Sequence, residues 1–135
     1  MTAGYSGTPL FKKLGLKARQ TVKLVNAPAH YEELVGDAYK DLSVKNKATS
    51  NIDVIHFFTN SEKEFKDKLD ILRQQIKKDG AIWISWYKTA AKKPTELTED
   101  LIRNHVLEIG LVDVKVCAVD DEWSGLKLVY RLKDR

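Results

Sequence analysis

Cysteine is almost missing from this chain: Cys117 is the only one in 135 residues. A lone cysteine excludes an intramolecular disulfide and fits a reducing compartment, so a cytoplasmic location is expected. No apolar run approaches the roughly 20 residues of a membrane span. The first residues lack the basic-then-apolar pattern of a secretory signal. Motifs that carry chemistry are missing too. No Gly-x-Ser-x-Gly surrounds Ser85, which removes the strained turn that a hydrolase nucleophile needs. His30, His56 and His105 are scattered, with no two at metal-ligand spacing. Asp120-Asp121-Glu122 has no calcium-loop spacing and reads as a turn. No metal and no cofactor are expected from these residues, and no residue is assigned a catalytic role.

What is present describes a folded domain. Hydrophobic residues make up 43% and charged residues 31% of the chain. A single domain over residues 1–135 can bury roughly two-thirds of its unfolded surface, enough for a core without staples. The net charge of +4 is mild. Glu62 with Lys66 and Glu64 with Lys68 are spaced to pair along one helix. Lys77, Lys78, Lys88, Lys92 and Lys93 form a looser basic concentration. A solvated face is the simpler reading of it, because base-stacking aromatics are not interleaved, and a nucleic-acid partner is disfavoured.

The middle of the chain is the most informative part. Residues 51–58 form an apolar strand. Residues 61–79 form an amphipathic helix, with Ser61 and Glu64 as a capping box and Phe65, Leu69, Leu72 and Ile76 on one face. Lys77 and Lys78 fall in its last turn and Gly80 ends it. Residues 81–87 form a second apolar strand. The two strands lack polar alternation, which points to burial on both faces of a parallel sheet.

The flanks complete the order. The first seven residues are irregular. Thr8 caps a short helix with Pro9 at its first position, and Gly15 ends it. Residues 21–25 are a strand stopped by Pro28, and a brief helix carrying Tyr31, Leu34 and Val35 ends near Gly36. Residues 37–51 are the least specified: Leu42-Ser43-Val44 is an edge strand or a turn. Thr98 caps a further helix whose buried face is Leu101, Ile102, Val106 and Ile109. Residues 112–119 and 126–132 are strands joined too closely to be parallel, so the chain ends in an antiparallel hairpin.

This order, with residues 52–58 and 78–84 as its strand entries, resembles the second half of class I S-adenosylmethionine-dependent methyltransferases. The fold expected is α/β: a three-layer, Rossmann-like, mostly parallel sheet with a C-terminal antiparallel hairpin, a shortened methyltransferase-like topology. The first half departs from the resemblance. Those enzymes need a glycine-rich turn after their first strand, and here the turn is Asn26-Ala27-Pro28-Ala29-His30. A second resemblance covers more of the chain. Gly4-Tyr5-Ser6-Gly7-Thr8-Pro9-Leu10, Lys13-Leu14-Gly15, Asn26-Ala27-Pro28, residues 112–119 and Trp123-Ser124-Gly125-Leu126-Lys127 are similar to a family of small bacterial proteins of unknown function. It implies a fold and no activity.

In open α/β sheets, ligands sit beyond the carboxyl ends of the parallel strands. Asn26, Thr59, Asn60 and Lys88 stand there and suit a small anion, although Asn and Thr are also common turn and cap residues. Trp123 beside Asp121 is a candidate interaction surface for a cation or a protein's basic segment, or it packs over the sheet edge. Trp83 and Trp86 fall on opposite faces of their strand. His56 reads as a neutral, hydrogen-bonded core residue, and as a base only if Asn26 and Lys88 lie beside it. Cys117 reads as a small buried apolar residue. The expected function is a non-catalytic binding or interaction module with a degenerate Rossmann-like core. The alternatives are a small enzyme or ligand-binding protein derived from a methyltransferase-like fold, and weak nucleic-acid or phosphate binding through the lysines.

Overall fold

The structure is a computed structural model that describes residues 8–135. Residues 4–7 of the family-like segment lie outside the described residues. Among the described residues, the strands are β1 (Thr21–Val25), β2 (Ser43–Val44), β3 (Ile52–Phe58), β4 (Ile76–Tyr87), β5 (Leu111–Ala118) and β6 (Trp123–Tyr130). The helices are α1 (Leu10–Lys13), α2 (Tyr31–Val35), α3 (Glu62–Arg73) and α4 (Glu99–Glu108). The strands form one sheet in the order β2-β1-β3-β4-β6-β5. β2, β1, β3 and β4 are parallel, and β6 runs antiparallel to both β4 and β5. The terminal hairpin therefore inserts its second strand beside β4 and leaves β5 at the edge.

Two apolar cores make the three layers. Phe65, Leu69 and Leu72 of α3 and Ile102 and Val106 of α4 cover one face of the sheet. Leu14, Leu16, Tyr31 and Val35, from α1, α2 and the chain beside them, cover the other. Both tryptophans of β4 are core residues, on opposite faces: Trp83 is fully buried under α1, where its indole Nε1 donates to the Leu14 carbonyl at 3.0 Å, and Trp86 is buried against α3 and α4. No described helix is long and apolar enough to cross a membrane.

Several boundaries differ from the sequence reading. Thr8 does not cap α1: Pro9 occupies the cap position without a side-chain bond, and its carbonyl accepts from Lys12 and Lys13 N–H. In the weakly specified segment, residues Gly36–Asp41 form a 3-10 turn and Ser43–Val44 pairs parallel to β1. β2 is two residues long, and side chains extend the contacts of β1 beyond it. Asn46 Oδ1 accepts from Leu24 N–H at 2.9 Å, and Lys23 Nζ donates to Ala48 O and Gln75 Oε1, each at 2.8 Å.

The largest correction concerns residues 74–80. α3 ends at Arg73, and Ile76 is the first residue of β4, not the last of a helical stripe. Ile76 pairs with Ile52 and Ala81 with Val54, so β4 advances five residues while β3 advances two. The three extra residues make a bulge larger than the common one-residue kind, which bends the strand and re-aims its side chains. Within it Lys77 pairs with Asp53 at 2.9 Å, and Lys78 stands over the Tyr130 ring at 4.3 Å. Gly80 is a point of close approach and not a helix stop: a Cβ there would meet the Asp53 carbonyl at 2.8 Å and the Ile52 carbonyl at 3.1 Å. Gly80→Ala is therefore expected to cost about 1–3 kcal/mol in urea unfolding, by overpacking against backbone. A cost below about 0.5 kcal/mol, the range of an ordinary surface change, would show that the bulge relaxes freely.

Candidate functional site

The carboxyl ends of β1, β3 and β4 bring Asn26, Thr59, Asn60 and Lys88 to one end of the sheet. They divide into two groups. Asn26 adopts a left-handed φ of 58°, which turns its amide back over the sheet. Its Nδ2 donates to the Phe58 carbonyl at 3.0 Å and to Glu64 Oε1 at 3.2 Å. Thr59 is buried, and its hydroxyl donates to the same Glu64 oxygen at 2.5 Å. Asn60 Oδ1 accepts from Tyr87 N–H at 2.8 Å, and Lys88 N–H donates to the Glu122 carbonyl at 2.8 Å. Asn26 and Thr59 thus meet around Glu64, while Lys88 is tied to the β5–β6 connection.

Glu64 explains the geometry. Half of the expected capping box forms: Ser61 Oγ accepts from Glu64 N–H at 3.2 Å. The return bond is different. Ser61 N–H donates to Thr59 Oγ1 at 3.2 Å, and the Glu64 carboxylate turns outward to Thr59, Asn26 and Lys68. The Thr59 hydroxyl, with Lys68 and Asn26, holds the Glu64 carboxyl below its ordinary value, against the effect of burial.

Deeper on the α2 face lies a buried polar chain. His56 is fully buried; Tyr31 Oη lies 2.8 Å from its Nδ1 and Ser85 Oγ lies 2.7 Å from its Nε2. The imidazole also stacks on Phe58 with centroids 4.2 Å apart. Burial pushes His56 down to about 3, and pushes the Tyr31 phenol up, with Tyr39 adding to the second effect. A neutral imidazole offers one donor and one acceptor, so each ring nitrogen has one partner and none is left over. His56 is accordingly the satisfied core histidine of the two readings. Tyr31 and Ser85 complete it, and no local pattern marks either of them: one was visible only as a helix-face residue, the other only as a nucleophile without its turn.

At the β5–β6 connection, Trp123 packs edge-on to Phe58 at 5.0 Å and tilted against Tyr87 at 4.4 Å. Asp120 is buried, and its Oδ1 accepts from Glu122 and Trp123 N–H at 2.8 and 2.9 Å. Its Oδ2 stands 3.1 Å from His30 Nε2. His30, Leu34, Asp120, Asp121 and Glu122 line an open depression of about 430 Å³. Another of about 490 Å³ is lined by Arg73, Glu108 and Arg131, beside the C-terminal ends of α3 and α4. Cys117 is half-buried, and burial raises its thiol. Among the described residues, no three His, Cys, Asp or Glu side chains gather into a metal set.

A family described as "Protein of unknown function (DUF3052)" matches residues 13–132. The chain belongs to that family. The matched DUF3052 span begins at Lys13, so residues 4–10 lie outside it. No curated protein matches the sequence. Among solved structures, the fold is similar to a candidate type 11 methyltransferase from Sulfolobus solfataricus, with 15% identity and a TM-score of 0.62 over 90% of this chain and 89% of that one. It is similar to mitomycin 7-O-methyltransferase at 11% identity and TM-score 0.64, over 84% of this chain and 49% of that one. It is also similar to magnesium protoporphyrin IX methyltransferase from Synechocystis PCC 6803, solved with bound S-adenosylmethionine, at 11% identity and TM-score 0.58, over 90% and 74%. The chain spans about half the length of the mitomycin enzyme and of the pyocyanin biosynthetic protein PhzM. At these identities the likeness is one of fold: this DUF3052 protein is a Rossmann-like α/β domain with methyltransferase-like topology.

Tyr31→Phe removes one partner of a fully buried ring and is expected to cost about 1–3 kcal/mol in urea unfolding. Ser85→Ala should cost a similar amount, and the pair less than the sum, since both act on one imidazole. A Tyr31→Phe cost near zero would mean that His56 finds water instead. The linked pH dependence has a definite sign. The folded imidazole stays neutral down to about 3, while an unfolded one titrates near about 6.5. The unfolded chain takes up the proton in that window, so this contribution is complete above about pH 6.5 and declines as pH falls toward 3.

Proposed function

We propose that this DUF3052 protein is a catalytically degenerate, methyltransferase-like domain that works as a binding module in the cytoplasm. One observation carries the reading. The turn after β1, where the resembling enzymes have glycines that admit their cofactor, is closed by the chain's own side chains: Asn26 bonds to the end of β3 and to Glu64, and Tyr31 just beyond it bonds to His56. Glycines permit close backbone approach because they have no Cβ. A turn built from Asn26-Ala27-Pro28-Ala29-His30 does not offer that approach.

The surface favoured for binding is the carboxyl end of the sheet near β6, where Trp123 and Asp121 adjoin the depression that His30, Asp120 and Glu122 line. An aromatic ring among carboxylates suits a protein's basic segment. Asn26, Thr59, Asn60 and Lys88 form the neighbouring candidate for a small anion. The side-chain hydrogen bonds of Asn26, Thr59 and Asn60 to Phe58, Glu64 and Tyr87 favour a strand-end clamp over an open ligand site. A second reading, a small enzyme using this crevice, is favoured by the His30–Asp120 pair. That carboxylate is oriented by two backbone N–H groups, as the partner of a general base would be.

The deciding experiment is thermal unfolding with S-adenosylmethionine and with S-adenosylhomocysteine. Neither should raise Tm. A cofactor at about a hundredfold excess over Kd would stabilise by about 2.7 kcal/mol and raise Tm by several degrees. A saturable rise of that size would overturn the degenerate-core reading.

A further inference from the structure

The basic residues that cluster in sequence are dispersed in space. Lys77 and Lys78 stand at the start of β4, whereas Lys88, Lys92 and Lys93 follow its end. Lys77 and Lys93 are also paired, with Asp53 and Glu122. A different set is brought together by the sheet. Lys115 of β5 lies directly opposite Lys127 of β6. Lys127 is in turn the cross-strand neighbour of Trp83, which places it on the face that α1 covers. Lys115 Nζ donates to the carbonyl of Lys13, the last residue of α1, at 3.2 Å. A Cβ added at Gly15 would lie 3.8 Å from Lys127 Nζ, so the turn after α1 passes close to that amine.

Lys17, on the same connection, is close enough to repel Lys127, as is Lys115. With the larger effect of burial they push the Lys127 ammonium below its ordinary value.

None of Lys13, Lys17, Lys115 and Lys127 forms an ion pair with a described carboxylate, whereas Lys63, Lys66, Lys68, Lys77 and Lys93 each do. Like charges opposite one another on adjacent strands are destabilising. Lysines that serve only solubility are better placed apart and outward. The bond from Lys115 to the end of α1 accounts for one contact of one ammonium and leaves the other three unexplained.

We propose that Lys13, Lys17, Lys115 and Lys127 form a binding site for the di- or triphosphate group of a small ligand. Lys115 and Lys127 stand opposite each other beside the end of α1, which carries Lys13 and leads into Lys17, and ammonium groups are compact multi-donor cations suited to phosphate oxygens. The dispersal of the remaining lysines argues against a nucleic-acid backbone, which would need a continuing basic track. The site stands on the β5–β6 half of the sheet and does not depend on the crevice after β1.

Inorganic tripolyphosphate is the probe, titrated into the full chain at constant ionic strength, with Tm and lysine side-chain NMR shifts as readouts. A saturable Tm rise with shifts at Lys115 and Lys127 is expected. Lys17→Ala and Lys115→Gln should each weaken binding about tenfold, the loss of one charge-assisted bond, and Lys17→Ala should leave the unliganded Tm equal or higher because repulsion is relieved. Lys92→Ala should change nothing. The proposal is overturned if tripolyphosphate acts no differently from sodium chloride of equal ionic strength, or if Lys92→Ala weakens binding as much as Lys115→Gln. It is also overturned if a DNA oligonucleotide displaces tripolyphosphate at a lower phosphate concentration, nucleic acid then being the ligand.

Discussion

The hydrogen bonds that His56 makes to Tyr31 and Ser85 are the constraint on which one face of this domain depends. α2 is five residues long, far too short to persist by itself. It is held because Tyr31 reaches the sheet, where the ring also packs edge-on to His56, Tyr39 and Phe58. A buried polar chain in which each imidazole nitrogen is satisfied is directional, and apolar packing alone is not. It sets where α2 sits, and so how the turn after β1 closes.

The same closing continues outward in layers. His56 stacks on Phe58, Phe58 meets Trp123, and Trp123 meets Tyr87. Above Phe58, the Asn26 amide caps its carbonyl and joins Glu64 and Thr59. The end of the sheet after β1 is thus filled by the chain's own side chains. The short β2 fits that picture, since Asn46 and not more strand extends the contacts of β1 beyond it. The scaffold keeps the methyltransferase-like strand order while its first half is contracted.

Much of the scaffold was legible because its signals are local. The nearly continuous apolar run Ile52–Phe58, the caps at Ser61 and Thr98, and the opposite faces of Trp83 and Trp86 follow from residues a few positions apart. The span 74–80 was not legible, because Ile76 is buried whether it continues the stripe of α3 or opens β4. What decides between them is the pairing with Ile52 and the approach of Gly80 to Asp53, a long-range fact. The strand ends that carry Asn26, Thr59, Asn60 and Lys88 could be located from topology. Their partners could not, since Glu64 read as half of a capping box and Tyr31 as a helix-face residue. The lysine group was invisible for a related reason: Lys115 and Lys127 are brought opposite only by the β5–β6 pairing, and Lys13 nears them only because α1 covers that face, while Lys77 and Lys88 are separated by the length of β4.

The central claim is that the face after β1 is shut and dry, with a neutral His56 inside it. Nitrogen-15 spectra of the His56 ring from pH 8 to pH 5 test it most directly. The account predicts a single neutral tautomer whose shifts stay constant across that range. A ring that titrates with a midpoint near the ordinary histidine value of about 6.5 would show that water reaches it, and that the crevice is open after all.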